Sequence, residues 1–402
     1  MARKKKYKIS IEEEPTKKSI AEKLLPGVLR KRPKNMRDLG FTVLKNLPAN
    51  IALVQHFMKA VDWRQAQAEV QVGMNNTIVI VGQPNSGKST LFNKIMGKNI
   101  SPVSPEAGTT KALVPAEFGP FTLVDTPGHL PDVTKSAMDR ASAILFLVDG
   151  SRGFQAQDRD LYEAMKKLNK PTIVAVNKID TLRGGENGDR LATETAVMLH
   201  VPGVIPISAH SGQNIAEELL PALIDASPDA ALVIGHELPA FRRKAAQRII
   251  RNATLVSLAA GLEPIPLVDI PIILGVQIRL VLRLAALYGE SMNSAEATKH
   301  ARELIVTMAG GAGLRYLAEQ AAKAVPFGGD LVAGAIASAG TWAIGQVALE
   351  YYEGGKQVNP QRMRDLYGSF YRRFRRENKV QELRQYAVDG TEDRLMLEEP
   401  TG

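Results

Sequence analysis

The sequence predicts a doubly wound, mostly parallel α/β sheet followed by an all-α unit. Two patterns carry this. Over residues 76–227, short apolar β-branched runs alternate with helical patterns, at 77–82, 112–118, 121–125, 143–149, 172–177 and 204–208 for strands and at 88–96, 133–141, 158–168, 188–199 and 213–225 for helices. Over 228–355 the alternation stops, and long Ala-, Gly-, Leu- and Ile-rich helical segments replace it.

The first strand, TIVIV, runs straight into Gly82-Gln-Pro-Asn-Ser-Gly87-Lys88-Ser89, followed by Thr90. This fits G-x-x-x-x-G-K-[ST] at every fixed position. Glycines without a Cβ let successive backbone N–H groups of Gly82, Asn85, Ser86 and Gly87 curl around phosphate oxygens. Lys88 is a point charge for the β- and γ-phosphates, Ser89 offers a hydroxyl to Mg²⁺, and the helix starting there turns its positive end to the same anion. A strand before and a helix after distinguish this stretch from a chance glycine-rich turn.

Three further motifs fall at predicted strand ends, where ligands of such sheets bind. Asp125-Thr-Pro-Gly128 ends a strand; Asp125 suits Mg²⁺ through water, and the Gly128 N–H suits a γ-phosphate. Asn177-Lys178-Ile-Asp180 ends the next strand but one. A carboxylate at Asp180 accepts two N–H groups from guanine; adenine lacks the exocyclic donor and would leave that charge unmatched, so GTP and GDP are expected over ATP. Asn177 braces the loop and Lys178 lays its stem on the base. Ser208-Ala209-His210 follows the last strand, with the Ala209 N–H aimed at guanine O6.

Taken together, GQPNSGKST (82–90), SPEAGTTK (104–111), DTPG (125–128), NKID (177–180) and SAHSGQNI (208–215) resemble the Era-like branch of the translation-factor-related GTPases. The resemblance covers about 76–227. It implies a GTP-hydrolysing switch, with Thr110 as the switch I Mg²⁺ ligand. Family members with Asn at the position of Asn85 often hold a K⁺ ion that acts as a fixed arginine finger, which makes Asn85 a candidate K⁺ ligand. The sequence departs from many Era-like members at His129, just after DTPG, where an apolar residue is usual. Two readings stand for His129: orientation of the attacking water, or a solvent-facing histidine without a catalytic part. The catalytic set on this reading is Lys88, Thr110, Gly128 and His129.

The 402-residue chain has a net charge of +9 and no cysteine, which excludes disulfides and thiolate metal sites. Residues 1–45 hold 14 Lys or Arg against 5 Asp or Glu, whereas the rest of the chain carries 37 of each. The excess charge is therefore an N-terminal feature, suited to anionic lipid or RNA. The first residues are charged rather than an apolar leader, so a cytoplasmic location is expected, with association to the cytoplasmic membrane. The expected order is a basic, largely disordered tail at 1–45, an N-terminal helix at 46–75, the nucleotide domain at 76–227, the apolar helical domain at 228–355 and a basic, aromatic helix with a polar tail at 356–402.

Within the helical domain, helices are expected at about 241–252, 294–308 and 313–324, and an uncharged run extends from Leu331 to Leu349. That run nears the length of a bilayer span but is built on Ala and Gly and contains Gln346; spanning, lying on a membrane and packing in a soluble bundle all remain open. The stretch 253–276, with three prolines and two acids, reads as re-entrant or buried. In the helix expected at about 360–386, Arg372, Arg373, Arg375 and Arg376 alternate with Tyr367, Phe370, Tyr371 and Phe374. It suits a headgroup layer or RNA, or else docks by its aromatic face. The segments 263–289 and 325–355 resemble the 697 family of domains of unknown function, helical domains that follow Era-like G domains and are regarded as membrane-associated. The expected partners are guanine nucleotide and an anionic membrane surface, with homodimerisation through either domain; the alternative is an RNA-binding factor of ribosome assembly.

Overall fold

The computed structural model describes residues 61–97, 116–118, 120–125, 137–182, 187–261, 269–320 and 329–377. Six strands form one sheet: β1 (Thr77–Gly82), β2 (Ala116–Phe118), β3 (Phe121–Asp125), β4 (Ala141–Asp149), β5 (Thr172–Asn177) and β6 (Ile205–Pro206). Their order is β2-β3-β1-β4-β5-β6. β2 is antiparallel to β3, and all other pairs are parallel. Successive connections leave β1 on both sides, so the sheet reverses its winding beside β1, where an α/β sheet opens a crevice for ligands.

Strand alternation sorts the side chains. Ile78 and Ile80 of β1, with Ala143, Leu145 and Leu147 of β4, enter one core; Val79, Val81, Ile144, Phe146 and Val148 enter the other. Both faces are buried, as a parallel sheet requires. The second core is closed by α3 (Ala156–Lys166) and α4 (Gly188–Leu199), through Tyr162, Met165 and Leu199. The first core receives α1 (Trp63–Met74), α2 (Lys88–Met96), α5 (Leu220–Ala226) and α6 (Pro228–Glu237).

This first core does not stop at the sheet. It runs on into a bundle of α7 (Arg242–Ala260), α8 (Asp269–Leu287), α9 (Ala295–Gln320), α10 (Gly329–Glu353) and α11 (Pro360–Arg376). Helix α6 is the element common to both parts. Ala230, Ala231, Leu232 and Ile234 are fully buried, and the helix packs on β1 and β4 as well as on α7 and α8. Its start is fixed by Ser227, whose hydroxyl accepts the N–H of Ala230 at 3.0 Å and donates to the carbonyl of Ser142 on β4 at 2.9 Å. Ion pairs support the same junction: Arg283 of α8 reaches Asp229 at 2.9 Å, and Arg279 pairs with Glu69 of α1.

The α/β assignment and the helical unit stand as expected. The helix expected at 46–75 runs, among the described residues, from Trp63 to Met74; 46–60 lie outside them. Of the helix expected at 133–141, residues 137–139 are helical and β4 already begins at Ala141. The segments read as separate helices at 294–308 and 313–324 are one helix, Ala295–Gln320. The stretch 253–276 is divided between α7 and α8, with Pro271 in the first turn of α8, where a missing N–H does no harm.

The run Leu331–Leu349 lies within α10, and its described residues Ile336, Ala339, Ala343, Ile344, Val347 and Ala348 are buried against the bundle. Among the described residues no helix is long and apolar enough to cross a membrane. Helix α11 docks by its aromatic face. Phe374 is fully buried, and the Trp342 ring lies 5.8 Å from Phe370 and 5.5 Å from Phe374. Arg372, Arg373, Arg375 and Arg376 point outward and are exposed.

Candidate nucleotide site

All the described motifs gather at the carboxyl edge of the sheet. Gly82 closes β1 where the backbone has no room: a Cβ there would lie 2.3 Å from the carbonyl oxygen of Leu147 on β4. The loop then turns through Asn85, whose φ of 66° is left-handed, and Gly87, at φ 95°, caps α2. A Cβ on Gly87 would lie 2.2 Å from the Asn177 amide nitrogen. Both glycines are thus required by close approach, and Gly87 also by its backbone angle. Gln83 ties the loop to the start of α3 by donating to the carbonyl of Gln157 at 3.0 Å.

Lys88 is the first residue of α2, and only 7% of it is exposed. Its ammonium donates to the carbonyls of Gly82 at 2.8 Å and Gln83 at 3.1 Å. A positive charge is thereby held over the loop, beside the positive end of the helix. Ser89 and Thr90 occupy the first turn, half-buried. Asp125 ends β3 in register with Gly82, the last residue of β1, while Ser89, the other expected Mg²⁺ contributor within the described residues, lies in the first turn of α2. Among the described residues no cluster of three or more His, Asp or Glu exists. A hard cation here would depend on phosphate oxygens for the rest of its shell, as Mg²⁺ commonly does, and the residues present fit that demand. Thr110, Gly128 and His129 lie outside the described residues.

The other half of the site is built from β5 and β6. Asn177 is buried; its amide nitrogen donates to the carbonyl of Ser86 at 2.8 Å, and its amide oxygen accepts the N–H of Ala209 at 2.8 Å. One side chain therefore links the phosphate loop to the loop after β6. Lys178 follows with φ 67°, and its ammonium lies 2.7 Å from Asp149. Asp180 is exposed, and one of its oxygens accepts from the Ser208 hydroxyl at 2.6 Å. That hydroxyl also accepts the N–H of Ser211 at 3.0 Å, so its direction is fixed. Among the described residues the second Asp180 oxygen accepts no side-chain hydrogen bond. His210 is exposed, and its carbonyl accepts from Lys94 of α2 at 3.4 Å.

Sequence reasoning aims the Ala209 N–H at a base oxygen. The structure directs it to Asn177 instead, so any base oxygen would have to share it. Sequence reasoning also missed Asp149, the buried end of β4; the signal available was an acid closing an otherwise apolar strand.

Residues 77–178 match the 50S ribosome-binding GTPase family, and residues 230–376 match the domain of unknown function DUF697. This chain joins an Era-like GTPase domain to a DUF697 domain. Among curated relatives, GTPase Era of Aquifex aeolicus (strain VF5) is 34% identical over 176 residues, covering 38% of this chain and 56% of the relative. GTPase Der of Alkaliphilus oremlandii (strain OhILAs) is 41% identical over 125 residues, covering 27% of this chain and 28% of the relative. The chain thus spans no more than 56% of the length of either. A solved structure of Era in complex with MgGDPNP and nucleotides 1506-1542 of 16S ribosomal RNA is 29% identical, covering 45% of this chain and 66% of that chain, with a TM-score of 0.34. Upstream of the DUF697 segment, the Era-like domain supplies the strand ends described above.

Proposed function

We propose that this protein is a GTP-binding and GTP-hydrolysing switch. The observation that carries it is the Asn177 bridge, which locks a phosphate-binding loop and a base-reading loop into one site. Lys88 would exchange the Gly82 and Gln83 carbonyls for β- and γ-phosphate oxygens, which hold the same charge more strongly. Ser89, Asp125 and, by resemblance, Thr110 would hold Mg²⁺, which when bound draws charge from the phosphates as it develops. Asp180, aimed by Ser208, would read the guanine edge. Gly128 would sense the γ-phosphate, His129 would orient water, and Asn85 at the left-handed turn would take K⁺.

The helical domain is the output on this reading, engaging an anionic membrane surface on the cytoplasmic side, or a sister copy, in a nucleotide-dependent way. The N-terminal charge excess and the outward arginines of α11 support an anionic partner. The buried aromatic face of α11 favours a second reading, RNA, because no apolar wedge accompanies those arginines. Turnover of GTP against ATP by the purified chain tests the enzyme; comparable use of both would overturn it. Flotation with anionic liposomes and sedimentation with ribosomal subunits, each with a GTP analogue and with GDP, separate the two partners. Liposome binding in neither state would end the membrane reading.

A further inference from the structure

The carboxylate at the end of β4 has no part in the reading above, yet it is built into the site. Asp149 is 6% exposed and pairs with Asn177 in the β4–β5 register. One of its oxygens accepts from both the N–H (3.0 Å) and the hydroxyl (2.6 Å) of Ser151, which fixes the rotamer. The other oxygen lies 2.7 Å from the Lys178 ammonium. The next residue, Gly150, donates its N–H to the Asn177 carbonyl at 2.8 Å, and a Cβ there would lie 2.5 Å from that same oxygen. The turn 149–151 therefore clamps 177–178 twice, once by backbone and once by charge.

We propose that Asp149 is a positioning residue for base binding: it holds the Lys178 ammonium so that the aliphatic stem lies flat as the floor for a purine. The proposal rests on the guanine-nucleotide reading and deepens it. Lys178 needs such an anchor for two reasons. It occupies a left-handed backbone angle that a side chain does not favour, and its four-carbon stem has many rotamers to lose. A charged hydrogen bond to a buried, immobile carboxylate removes that freedom before the base arrives. Held by its tip, the stem presents methylene groups to a ring face and contributes nothing to the reading of ring substituents, which falls to Asp180.

The test is a double-mutant cycle read by displacement of a fluorescent GDP analogue from the full-length chain. Asp149→Asn keeps the Ser151 contacts and removes the charge; it should weaken GDP by about tenfold, the usual weight of one charged hydrogen bond. Lys178→Ala should weaken it at least as much, and the double variant should be no worse than Lys178→Ala alone. Inosine nucleotides, which lack the exocyclic amine, should lose affinity in Asp149→Asn by the same factor as guanine nucleotides. Asp180→Asn should instead erode the preference of guanine over inosine. Additive losses in the cycle, a specific loss for guanine over inosine, or unchanged GDP affinity in Asp149→Asn would each overturn the proposal while the guanine-nucleotide reading stands. Failure of the unmodified chain to bind GDP would overturn that reading first.

Discussion

The side-chain amide of Asn177 donates to the backbone carbonyl of Ser86 across 2.8 Å, so the end of β5 holds the floor of the glycine-rich loop between β1 and α2. The same amide accepts from Ala209 at 2.8 Å, and the residue is 1% exposed. Replacing Asn177 with Ala strands a buried carbonyl and a buried N–H at once. Each orphaned group costs about 1–3 kcal/mol. Urea denaturation should show a loss of about 2–4 kcal/mol, and the GDP off-rate should rise.

Gly87 is held by geometry rather than by chemistry. Gly87→Ala combines a φ of 95° with a Cβ placed 2.2 Å from the Asn177 amide nitrogen, so loop and bridge cannot both keep their places. Nucleotide affinity should fall at least tenfold. Calorimetric titration with GDP measures it, and near-normal affinity would show that the loop re-forms without the bridge.

Phe374→Ala should release α11 from the bundle. The ring is fully buried and contacts Trp342, and emptying such a site costs about 3 kcal/mol. Hydrogen exchange over 360–376 should accelerate well before that over β1 and β4.

Gly235 of α6 lies where a Cβ would come within 2.5 Å of the Ala245 Cβ and 2.6 Å of a Leu287 methyl. Gly235→Ala would gain helix propensity but overpack the contact of α6, α7 and α8, at a cost of about 1–3 kcal/mol. Denaturant midpoints should fall for the whole chain.

Burial pushes the Asp158 carboxyl above its ordinary range, although the Gln155 N–H and Arg152 pull it back. The folded state then binds this proton more tightly than the unfolded chain does. The contribution of Asp158 is most favourable at pH below its unfolded value and is lost as pH rises through the folded one. Asp158→Asn should therefore flatten the fall in stability as pH climbs from about 4, measured by thermal melts at several pH values.

What could be read in advance divides along physical lines. The strand–loop–helix from Thr77 to Met96 and the placement of Asn177 at the end of β5 were legible because glycines, β-branched runs and turn residues dictate local backbone geometry. The strands were legible as short β-branched runs between polar segments. Helix α6 was not assigned: buried almost all round, it shows no helical alternation, although Ser227-Pro228-Asp229 is a sound start signal. Continuity of α9 was missed because Gly310, Gly311 and Gly313, poor helix formers, look like a break in the sequence. The Lys178 partner Asp149 is 29 positions away, and only the register of β4 on β5 brings the two together. The arginines of α11 were identified, but their separation from the aromatic residues needed Trp342 to show which side docks.

The apolar interior that passes unbroken from Ile78 through α6 to Leu284 has a bearing on how the molecule comes apart. Two regions sharing one oily seam cannot melt independently: calorimetry should record a single endotherm, and a recombinant piece ending near residue 227 would carry a raw greasy flank and tend to clump. Any nucleotide-driven shift in the sheet is then transmitted through a solid joint instead of a slack tether.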